Sequence, residues 1–597
     1  MEEGLFEPIA NITKLYISQS GCKNFPRSFR MLQKLEYLEI SETSLEWIGD
    51  DLCSQSFALK GVMIKTNPLL DIHPECLQSY NNSEDIELSG NFISNLPNRT
   101  VVLSKLITFK FNDNGCDVKS VENFLMSDSL LYIEMKNSSI FSIHKDFLRN
   151  VPNLRRIDLS DNKLTHLEEG FFEFSVNLRY VSLRGNRLTS IPVSLLDTKP
   201  LLSEIIVSHN KISEINFKVG QNLSSLTHLD ISYNDITLIP SNPFSRMPNI
   251  KFLDVSNNKI SEIDKVVLEV ISDLESLHID QNRMKGDFFL LPRKFEHLTN
   301  LSAESNNFSE LSWLNIPLLY ELNLANNLIQ KLNLSVFNSC PNLGILKLSR
   351  NLIGELPGQI FSHHLRHLTS LDLSFNRLKT HPDYIHLGIW MGRDRFVTVF
   401  YNLQLDLLDL SGNLMEKFEL NWLGDAKSIQ KVFVRNNNIS ELYTNSSEAV
   451  PVFSLDLSHN KISSKNWPWY YDDLLKTSGK ISPFGRFEYL KELHLAHNEI
   501  TDIPIDFRIH NAHLKVLDLS FNKIKHLTHQ ELLFSSYQFD ADGNAKPYDF
   551  CRSLTINLRN NLIGRINFPH FMVSYSTFEF TLDLHGYCHQ FFVSRVL

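Results

Sequence analysis

Hydrophobic residues recur along this chain in a fixed frame, leucine-x-x-leucine-x-leucine-x-x-asparagine-x-leucine, in which Ile, Val or Phe sometimes replaces Leu. The frame is clear in Leu154, Ile157, Leu159, Asn162 and Leu164. The alternation of apolar and polar residues predicts a short strand whose apolar side chains point inward. The asparagine predicts the bend that follows, because its side-chain amide can donate to and accept from the backbone groups that a bend leaves unpaired.

The frame can be placed about 23 times, from Ile12 to about Cys588, and asparagine fills its position in 19 copies. The exceptions are Ser20, Thr43, Ser138 and Tyr587. Most successive asparagines stand 24 residues apart. Repeats of this length and pattern carry the leucine-rich repeat signature. One repeat cannot bury its apolar side alone, so neighbours must stack. We therefore predict an α/β fold, a single leucine-rich repeat solenoid over residues 1–597, curved into a horseshoe with a parallel sheet on its concave face.

A phenylalanine at a fixed offset before the asparagine predicts a buried aromatic row behind the strands. Its members are Phe147, Phe172, Phe244, Phe337 and Phe361. Three intervals between successive asparagines are 37, 38 and 39 residues long instead of 24. Insertions in solenoids map to loops on one face and often serve binding. Alternatively, these insertions pack as longer helices on the convex side or bend the stack. They lie near Pro382–Gln404, Ser463–Phe487 and His529–Cys551.

Composition and charge narrow the class of protein. Apolar residues make up 42% of the chain and charged residues 21%, which is ordinary for a folded domain. The net charge of −10 argues against a general binder of nucleic acid or anionic membranes. We find no signal peptide, no apolar run long enough for a transmembrane helix, and no recognisable cap. We therefore expect a piece of a larger protein or an incomplete gene model, with membrane contact only through segments absent from this chain.

The seven cysteines are compatible with more than one compartment. Cys53 and Cys76 occupy the offset of the aromatic row in successive repeats, so they should stack, either as a disulfide or as two buried thiols. Cys551 and Cys588 lie near the carboxyl end and could pair to close it. The odd total leaves at least one free or intermolecular thiol.

Glycosylation sequons favour secretion. The ten sequons are a mild excess over the roughly seven that chance would give a chain so rich in asparagine. They fall at Asn11, Asn81, Asn98, Asn137, Asn222, Asn300, Asn307, Asn333, Asn438 and Asn445.

Catalytic and metal-binding patterns are lacking. The sequence has no arrangement of nucleophile and base, no phosphate-binding loop and no paired-cysteine zinc pattern, so we predict no enzyme activity, cofactor or metal. His363 and His367 lie four residues apart with His364 between them, which is more typical of a solvated cluster than of a metal site. A row of aspartates between core residues could bind a basic ligand, although Leu-Asp-Leu-Ser is also the commonest form of the repeat. Its members are Asp158, Asp230, Asp254, Asp372, Asp409, Asp456 and Asp518.

The first strands depart most from the repeat consensus. Tyr16, Tyr37, Met63, Lys110 and Tyr132 fall at exposed strand positions. Exposed tyrosine and methionine on a rigid sheet are typical of protein-binding surfaces, and ordinary variation at exposed positions is the alternative. A further outlier, which falls on an inward-facing leucine position and should belong to the core, is Met135.

These repeats resemble the ectodomain of insect Toll receptors, in the Toll-like receptor group. The likeness rests on the 24-residue repeats with their phenylalanine row. It rests more specifically on Ile481–Phe487, which leads into Leu490–Leu495 and then Leu517–Asn522. Toll ectodomains continue into a Cys-x-Cys flank, whereas here Leu582–Tyr587 is followed by Cys588 alone.

The resemblance implies an extracellular or cell-surface ectodomain that binds a protein ligand, a Spätzle-type cystine-knot cytokine, in innate immunity or development, with ligand-induced pairing of two ectodomains. In the family this cytokine binds the concave side near the first repeats. The corresponding positions are Tyr16, Tyr37, Glu39, Met63, Glu87, Lys110 and Tyr132. The alternatives are a secreted or surface-tethered adhesion or immune scaffold protein, and a cytosolic leucine-rich scaffold.

Overall fold

The computed structural model divides into two compact units, Met1–Met284 with Pro292–Leu298 and Lys285–Leu291 with Thr299–Leu597. Each unit is a stack of repeats with its own strands. The structure describes residues 3–53, 58–97, 99–115, 123–196, 199–215, 223–263, 265–285, 295–311, 316–332, 334–356, 365–379, 385–390, 393–397, 400–443, 449–472, 477–504, 511, 513–528, 537–539, 545–547, 553–567 and 579–583.

In the described part of the first unit, 12 repeat strands belong to the parallel sheet. Equivalent residues are aligned, so that Ile157 is the partner of Val181 and Val181 of Ile205. The strands are Lys14–Ser20, Tyr37–Thr43, Gly61–Lys65, Asp85–Glu87, Thr108–Lys110, Tyr132–Glu134, Arg156–Asp158, Tyr180–Ser182, Glu204–Ile206, His228–Asp230, Phe252–Asp254 and Ser276–His278.

Short helices and two-stranded ribbons connect the strands of the first unit. The α-helices are Asp50–Cys53, Pro74–Ser79, Val193–Leu196, Ser241–Phe244 and Lys265–Val270, and the 3-10 helices are Glu7–Ile9, Arg27–Met31 and Lys145–Leu148. The parallel ribbons pair Val101–Val102 with Leu125–Met126 and Leu238–Ile239 with Glu262–Ile263.

The described part of the second unit has 11 repeat strands in the parallel sheet. They are Asn300–Ser302, Glu321–Asn323, Ile345–Lys347, Ser370–Asp372, Gln404–Asp409, Ser428–Phe433, Val452–Asp456, Glu492–His494, Val516–Asp518, Ser553–Asn557 and Glu579–Asp583. The described 3-10 helices are Leu334–Phe337, Leu420–Leu423 and Ser464–Asn466. Parallel ribbons pair Lys417–Glu419 with Glu441–Tyr443 and His526–Thr528 with Arg565–Asn567. The predicted fold class, a leucine-rich repeat solenoid with a parallel sheet, is confirmed. Its extent as one domain over residues 1–597 stays a prediction.

The three long repeats contain antiparallel hairpins within the described residues. The alternative of longer helices is therefore wrong for these parts, because runs of aromatic and β-branched residues favour extended backbone. The remaining residues of the insertions near 382–404, 463–487 and 529–551 lie outside the described part. The hairpins pair Ile385–Trp390 with Arg393–Val397, Trp469–Asp472 with Thr477–Lys480, and Tyr537–Phe539 with Ala545–Pro547.

The core of each unit is filled by the inward-facing residues of the frame and by the aromatic row. Leu154, Ile157 and Leu159 have no exposed surface, and Met135 is fully buried, as predicted. Phe361 lies outside the described residues. The other members of the aromatic row are all buried, and these are Phe147, Phe172, Phe244 and Phe337.

The frame asparagines form a buried hydrogen-bonded ladder. The amide nitrogen of Asn258 donates to the carbonyls of Ile231 (3.1 Å), Val255 (3.0 Å) and Ser256 (3.0 Å). Its Oδ1 accepts the backbone N–H of Ile236 at 3.0 Å. One side chain thus satisfies backbone groups of two repeats, and this pattern recurs from Asn162 onward in both units.

Where another residue replaces the asparagine, the ladder is only partly reproduced. The Ser138 hydroxyl donates to the Phe111 carbonyl at 2.7 Å, and Thr43 donates to Oδ1 of Asn67 at 2.6 Å. The buried Ser20 hydroxyl has no partner in the structure. Tyr587 lies outside the described residues.

The residue before each described ladder position has left-handed backbone, with φ between 47° and 70°. We call these residues the rim row. Left-handed backbone costs about 1 kcal/mol or more for a residue other than glycine. The sharp bend into the ladder therefore overrides local preference in every described repeat. Within the first unit, the row includes Asp161, Gly185, His209, Tyr233, Asn257 and Gln281.

The described cysteines form one disulfide, which lies in the first unit. Cys53 and Cys76 are bonded to each other across two successive repeats, which resolves the choice left open by their spacing. Cys22 and Cys340 are buried and free, and burial raises the pKa of Cys340 to about 12. Cys551 and Cys588 lie outside the described residues, so their pairing stays a prediction.

Replacing a ladder asparagine should destabilise its unit. Asn258→Ala leaves three carbonyls and the N–H of Ile236 without their partner, which we expect to cost roughly 2–4 kcal/mol. The measurement is the urea midpoint of the secreted chain by circular dichroism. Asn95 is exposed, and its side-chain hydrogen bond among the described residues is to Ser94, so Asn95→Ala should leave the midpoint unchanged. An equal effect of the two substitutions would contradict the structural role of the ladder.

Candidate ligand-binding face

The seven residues implied by the family resemblance lie together on the solvent-exposed face of the sheet in the first unit. Five occupy one register row on successive strands, since each is the aligned partner of the next. Tyr37 and Tyr132 occupy the neighbouring row, two residues earlier along their strands. We call this set the amino-terminal face. The five residues of the first row are Tyr16, Glu39, Met63, Glu87 and Lys110.

The amino-terminal face is rich in aromatic surface. Tyr16 is 65% exposed and Tyr132 is 38% exposed. Tyr37 is half-buried beneath the ammonium of Lys14, which lies 5.2 Å from its ring centre. A Cβ atom on Gly61 would lie 2.8 Å from Cδ1 of Tyr37. Because that approach is closer than van der Waals contact allows, the glycine provides the space that holds this ring against the sheet.

Charges on this face are only partly compensated. Lys65 pairs with Glu39 at 3.0 Å, with both side chains about one-third exposed or less. Glu87 and Lys110 are aligned neighbours but form no ion pair with any residue that the structure describes. The face therefore offers charges of both signs beside its aromatic rings, which suits a mixed protein surface.

The next strands of the same sheet supply their own cations. Lys136 contacts Asp158 at 3.4 Å and Glu134 at 3.7 Å. The Arg156 guanidinium lies 3.9 Å from Asp158 and 3.6 Å from the ring centre of Tyr180. Burial lowers the pKa of Lys136, but the charges of Asp158 and Glu134 together outweigh that effect, so the pKa is raised overall.

The row of aspartates has a structural role in every repeat where it was predicted. Each carboxylate accepts, through Oδ1, the backbone N–H of the serine two residues later, at 2.8–3.1 Å. This contact stabilises the bend and accounts for the Leu-Asp-Leu-Ser frame without a ligand. Binding of a basic ligand by members of the row that have no cation beside them stays a prediction.

Asp230 and Asp254 are aligned partners on adjacent strands, and neither has an ion pair within the described part of the chain. Burial raises the pKa of Asp254, and the neighbouring Asp230 raises it further, against the hydrogen bonds from Ser256. Asp372 and Asp409 repeat this arrangement in the second unit, where burial also raises the pKa of Asp409.

Two sets of stacked rings on these faces are not predicted by the repeat frame. In the first unit, Phe252 stacks on His228 (5.6 Å between ring centres) and contacts the tilted ring of His278 (5.3 Å). In the second unit, His497 stacks between His459 (4.1 Å) and Phe521 (4.0 Å). Aromatic residues at the same frame position in adjacent repeats were the available sequence signal.

The pKa of His497 is lowered, mainly by burial and then by the charge of His459, so a proton is disfavoured in this stack. The described residues contain no group of three or more His, Cys, Asp or Glu placed to bind a metal, and no helix long and apolar enough to cross a membrane. His363 and His364 lie outside the described residues.

Described sequons differ in accessibility. Asn300 belongs to a strand and is half-buried beside Glu321, and Asn438 is also half-buried. Asn98, Asn222, Asn333 and Asn445 lie outside the described residues. The exposed sequon asparagines are Asn11, Asn81, Asn137 and Asn307.

Family models match much of the chain. A model described as "Leucine rich repeat" matches residues 128–188, 176–236, 200–260, 226–284, 317–378 and 488–533. A model described as "BspA type Leucine rich repeat region (6 copies)" matches residues 1–124. The two descriptions name the same kind of repeat on non-overlapping parts of the chain.

Similar proteins include keratocan from Coturnix japonica, 32% identical over 182 residues that cover 30% of this chain and 42% of keratocan. Human lumican is 28% identical over 283 residues, covering 42% of this chain and 76% of lumican. The chain thus spans less than half the length of keratocan. Among solved structures, Drosophila Toll in complex with Spätzle has a TM-score of 0.55 at 16% identity, covering 92% of this chain and 80% of Toll. That likeness shows the fold.

Neutralising Asp254 should stabilise the first unit at neutral pH. Because its pKa is raised in the folded state, the folded chain binds this proton more tightly than the unfolded chain does. Asp254 therefore lowers stability at pH 7, and the cost disappears as pH falls through its folded pKa towards its ordinary value of 3.8. Asp254→Asn keeps an oxygen for Ser256, so its urea midpoint should exceed that of the wild type at pH 7, and the difference should shrink by pH 4.

Asp158→Asn is the matched control, because Asp158 occupies the same frame position but has Lys136 and Arg156 beside it. Its midpoint at pH 7 should fall below that of the wild type. A lower midpoint for Asp254→Asn at pH 7 would show that its charge is compensated.

Proposed function

Because the chain belongs to the leucine-rich repeat family, we propose that it is a protein-binding extracellular domain that takes its ligand on the amino-terminal face. The observation that carries this proposal is the alignment of exposed Tyr16 and Tyr132 and half-buried Met63 in two adjacent rows of one sheet. A rigid sheet presents these side chains with little loss of conformational freedom on binding. Tyrosine and methionine are enriched where proteins bind one another.

An extracellular location is part of the proposal. The Cys53–Cys76 disulfide is typical of oxidising compartments. The exposed sequons at Asn11, Asn81, Asn137 and Asn307 are open to glycosylation in such a compartment. The similarity to keratocan and lumican supports the same location.

The proposed ligand class is a Spätzle-type cystine-knot cytokine, and binding would bring two copies of the chain together. The likeness to Toll, solved in complex with Spätzle, supports this choice. The mixed charges of Glu87 and Lys110 provide partners for both acidic and basic ligand residues. In this proposal the chain is the sensing part of an innate-immune or developmental receptor.

Truncating the exposed side chains of the amino-terminal face should weaken ligand binding. We expect Tyr16→Ala, Met63→Ala and Tyr132→Ala each to raise the Kd for an immobilised Spätzle-type cytokine, by about tenfold where the residue is a hot spot. Each removes a side chain that is exposed or half-buried in the free chain, so folding should be retained. The measurement is surface plasmon resonance on the secreted glycoprotein.

Tyr320→Ala is the control, because Tyr320 is 49% exposed and belongs to the second unit. It should leave the Kd unchanged. Absence of cytokine binding by the folded wild-type chain would reject the ligand class. An equal loss for Tyr320→Ala would reject the location.

A secreted or surface-tethered scaffold is the second candidate function, and the similarity to keratocan and lumican favours it. A scaffold of this kind should associate with itself. Cells that display the chain on a lipid anchor should then cluster, and the purified chain should sediment as more than a monomer. A strictly monomeric chain that clusters no cells would exclude this candidate.

A further inference from the structure

A second surface of the first unit combines aromatic rings with carboxylates that form no ion pair among the described residues; the imidazole of His278 is the aligned neighbour of Asp254. Asp230 and Asp254 form its floor, on adjacent strands. His228 and Phe252 precede them by two residues on the same strands, and their rings stack. We call this surface the acidic–aromatic patch.

Rings border the carboxylate floor on both sides. On one side, His278 extends the His228–Phe252 stack, with 5.3 Å between the ring centres of His278 and Phe252. On the other side, in the rim row, His209 and Tyr233 stack at 3.9 Å with nearly parallel planes. Tyr233 is 46% exposed, so its ring is open to a partner.

The carboxylates of the patch have bonding capacity to spare. Ser232 and Ser256 donate to Oδ1 of Asp230 and Asp254 respectively. Within the described part of the chain, Oδ2 of each aspartate has no hydrogen bond or ion pair. Two parallel carboxylates on strands about 4.8 Å apart repel each other, and a cation between them would relieve that repulsion.

Elsewhere in the same sheet, an arginine side chain occupies a site that combines a ring and a carboxylate. Three strands earlier, the Arg156 guanidinium lies against the Tyr180 ring at 3.6 Å and near Asp158 at 3.9 Å. Arg156 and Tyr180 are aligned partners in the row that also contains His228 and Phe252. At the patch, the rings and the carboxylates are present, but no guanidinium among the described residues lies beside them.

We propose that the acidic–aromatic patch binds an arginine side chain presented by a protein partner. A planar guanidinium can stack on an aromatic ring while it donates to two carboxylates, whereas a lysine ammonium is a point charge that needs no ring. The patch has too few ligands for a metal, since the described residues contain no metal-binding group here. The partner is therefore a protein with an exposed arginine rather than a free cation.

The patch is separate from the amino-terminal face. Asp230 lies five strands beyond Lys110 in the same register row, which corresponds to about 24 Å at the usual strand spacing. Arginine binding at the patch is thus independent of whether the amino-terminal face binds a cytokine.

The test uses an immobilised octapeptide of alternating glycine and arginine, with matched lysine and citrulline peptides, and surface plasmon resonance on the full chain. The arginine peptide should bind several-fold more tightly than the lysine peptide, and the citrulline peptide should not bind. We expect the D230N/D254N double variant to weaken binding of the arginine peptide by about tenfold. Asparagine retains the oxygen that accepts from Ser232 and Ser256, so the fold should be kept.

D372N/D409N is the matched control. It makes the same change of charge at the same frame positions, and Ser374 and Ser411 make the same contacts there. Its strands, however, carry Ser370 and Leu407 in place of His228 and Phe252. The rim-row ring there, Phe375, already has the Arg350 guanidinium 4.7 Å from its centre. This variant should change the affinity for the arginine peptide by less than about twofold, since surface charges at a distance are screened.

Tyr233→Leu tests the open ring of the patch border without changing charge. The substitution should weaken binding of the arginine peptide about threefold, the size of an exposed cation–π contact. It should leave binding of the lysine peptide unchanged. Equal losses in the two double variants would show attraction to the overall negative charge and overturn the proposal. Equal binding of the arginine and lysine peptides, or no effect of Tyr233→Leu, would overturn it as well.

Discussion

Most repeats depend on one buried amide. The frame asparagine is the group that holds the backbone where the chain leaves the strand, because it donates to carbonyls of its own repeat and of the repeat before it. A strand that simply ended there would bury several backbone groups without partners, which is costly in the absence of water. The ladder therefore fixes both the bend and the spacing of the repeats, and every exposed side chain on the sheet inherits its position from that spacing.

A regular sheet makes local differences in charge easy to see. At Asp158 the chain supplies Lys136 and Arg156, whereas Asp230 and Asp254 form no ion pair among the described residues and only the imidazole of His278 lies beside Asp254. Because all three aspartates make the same contact with a serine, the difference cannot be attributed to the bend. Uncompensated charge that lowers stability is typical of surfaces selected for binding. The aromatic rings beside that charge determine which cation the surface prefers.

Much of this architecture follows from the sequence, since strands, ladder and aromatic row repeat with a fixed period. Met135 was correctly predicted as a core residue because its frame position outweighs its side-chain type. The insertions were harder to predict, because aromatic runs such as Trp469–Tyr471 lack the frame and fit either a hairpin or a packed helix. The pairing of Cys53 with Cys76 was open for a similar reason, since stacked thiols and a disulfide need the same spacing.

The sequence predicted where the amino-terminal face lies but not the side-chain contacts on the sheet. Tyr16, Met63 and Tyr132 stand out as departures from a consensus, and the register of the sheet brings them together. The stack of His228, Phe252 and His278 is not apparent in the sequence, because a diagonal contact between two rows depends on side-chain rotamers. The sequence also does not reveal which aspartates lack a cation, since Lys136 reaches Asp158 from a neighbouring repeat.

The rim row has an evolutionary consequence. Its residues share a left-handed backbone that the ladder enforces, so their conformation does not depend on what the side chain packs against. Among the described members, Thr66 alone is β-branched, and the rest range from glycine to histidine, tyrosine, arginine and phenylalanine. A point mutation there exchanges a surface group while the repeat keeps its shape, and duplication of a repeat adds one more such position in line. The rim is thus a series of surface positions, coupled only to their neighbours in the row, along which binding specificity can diverge while the core remains constant.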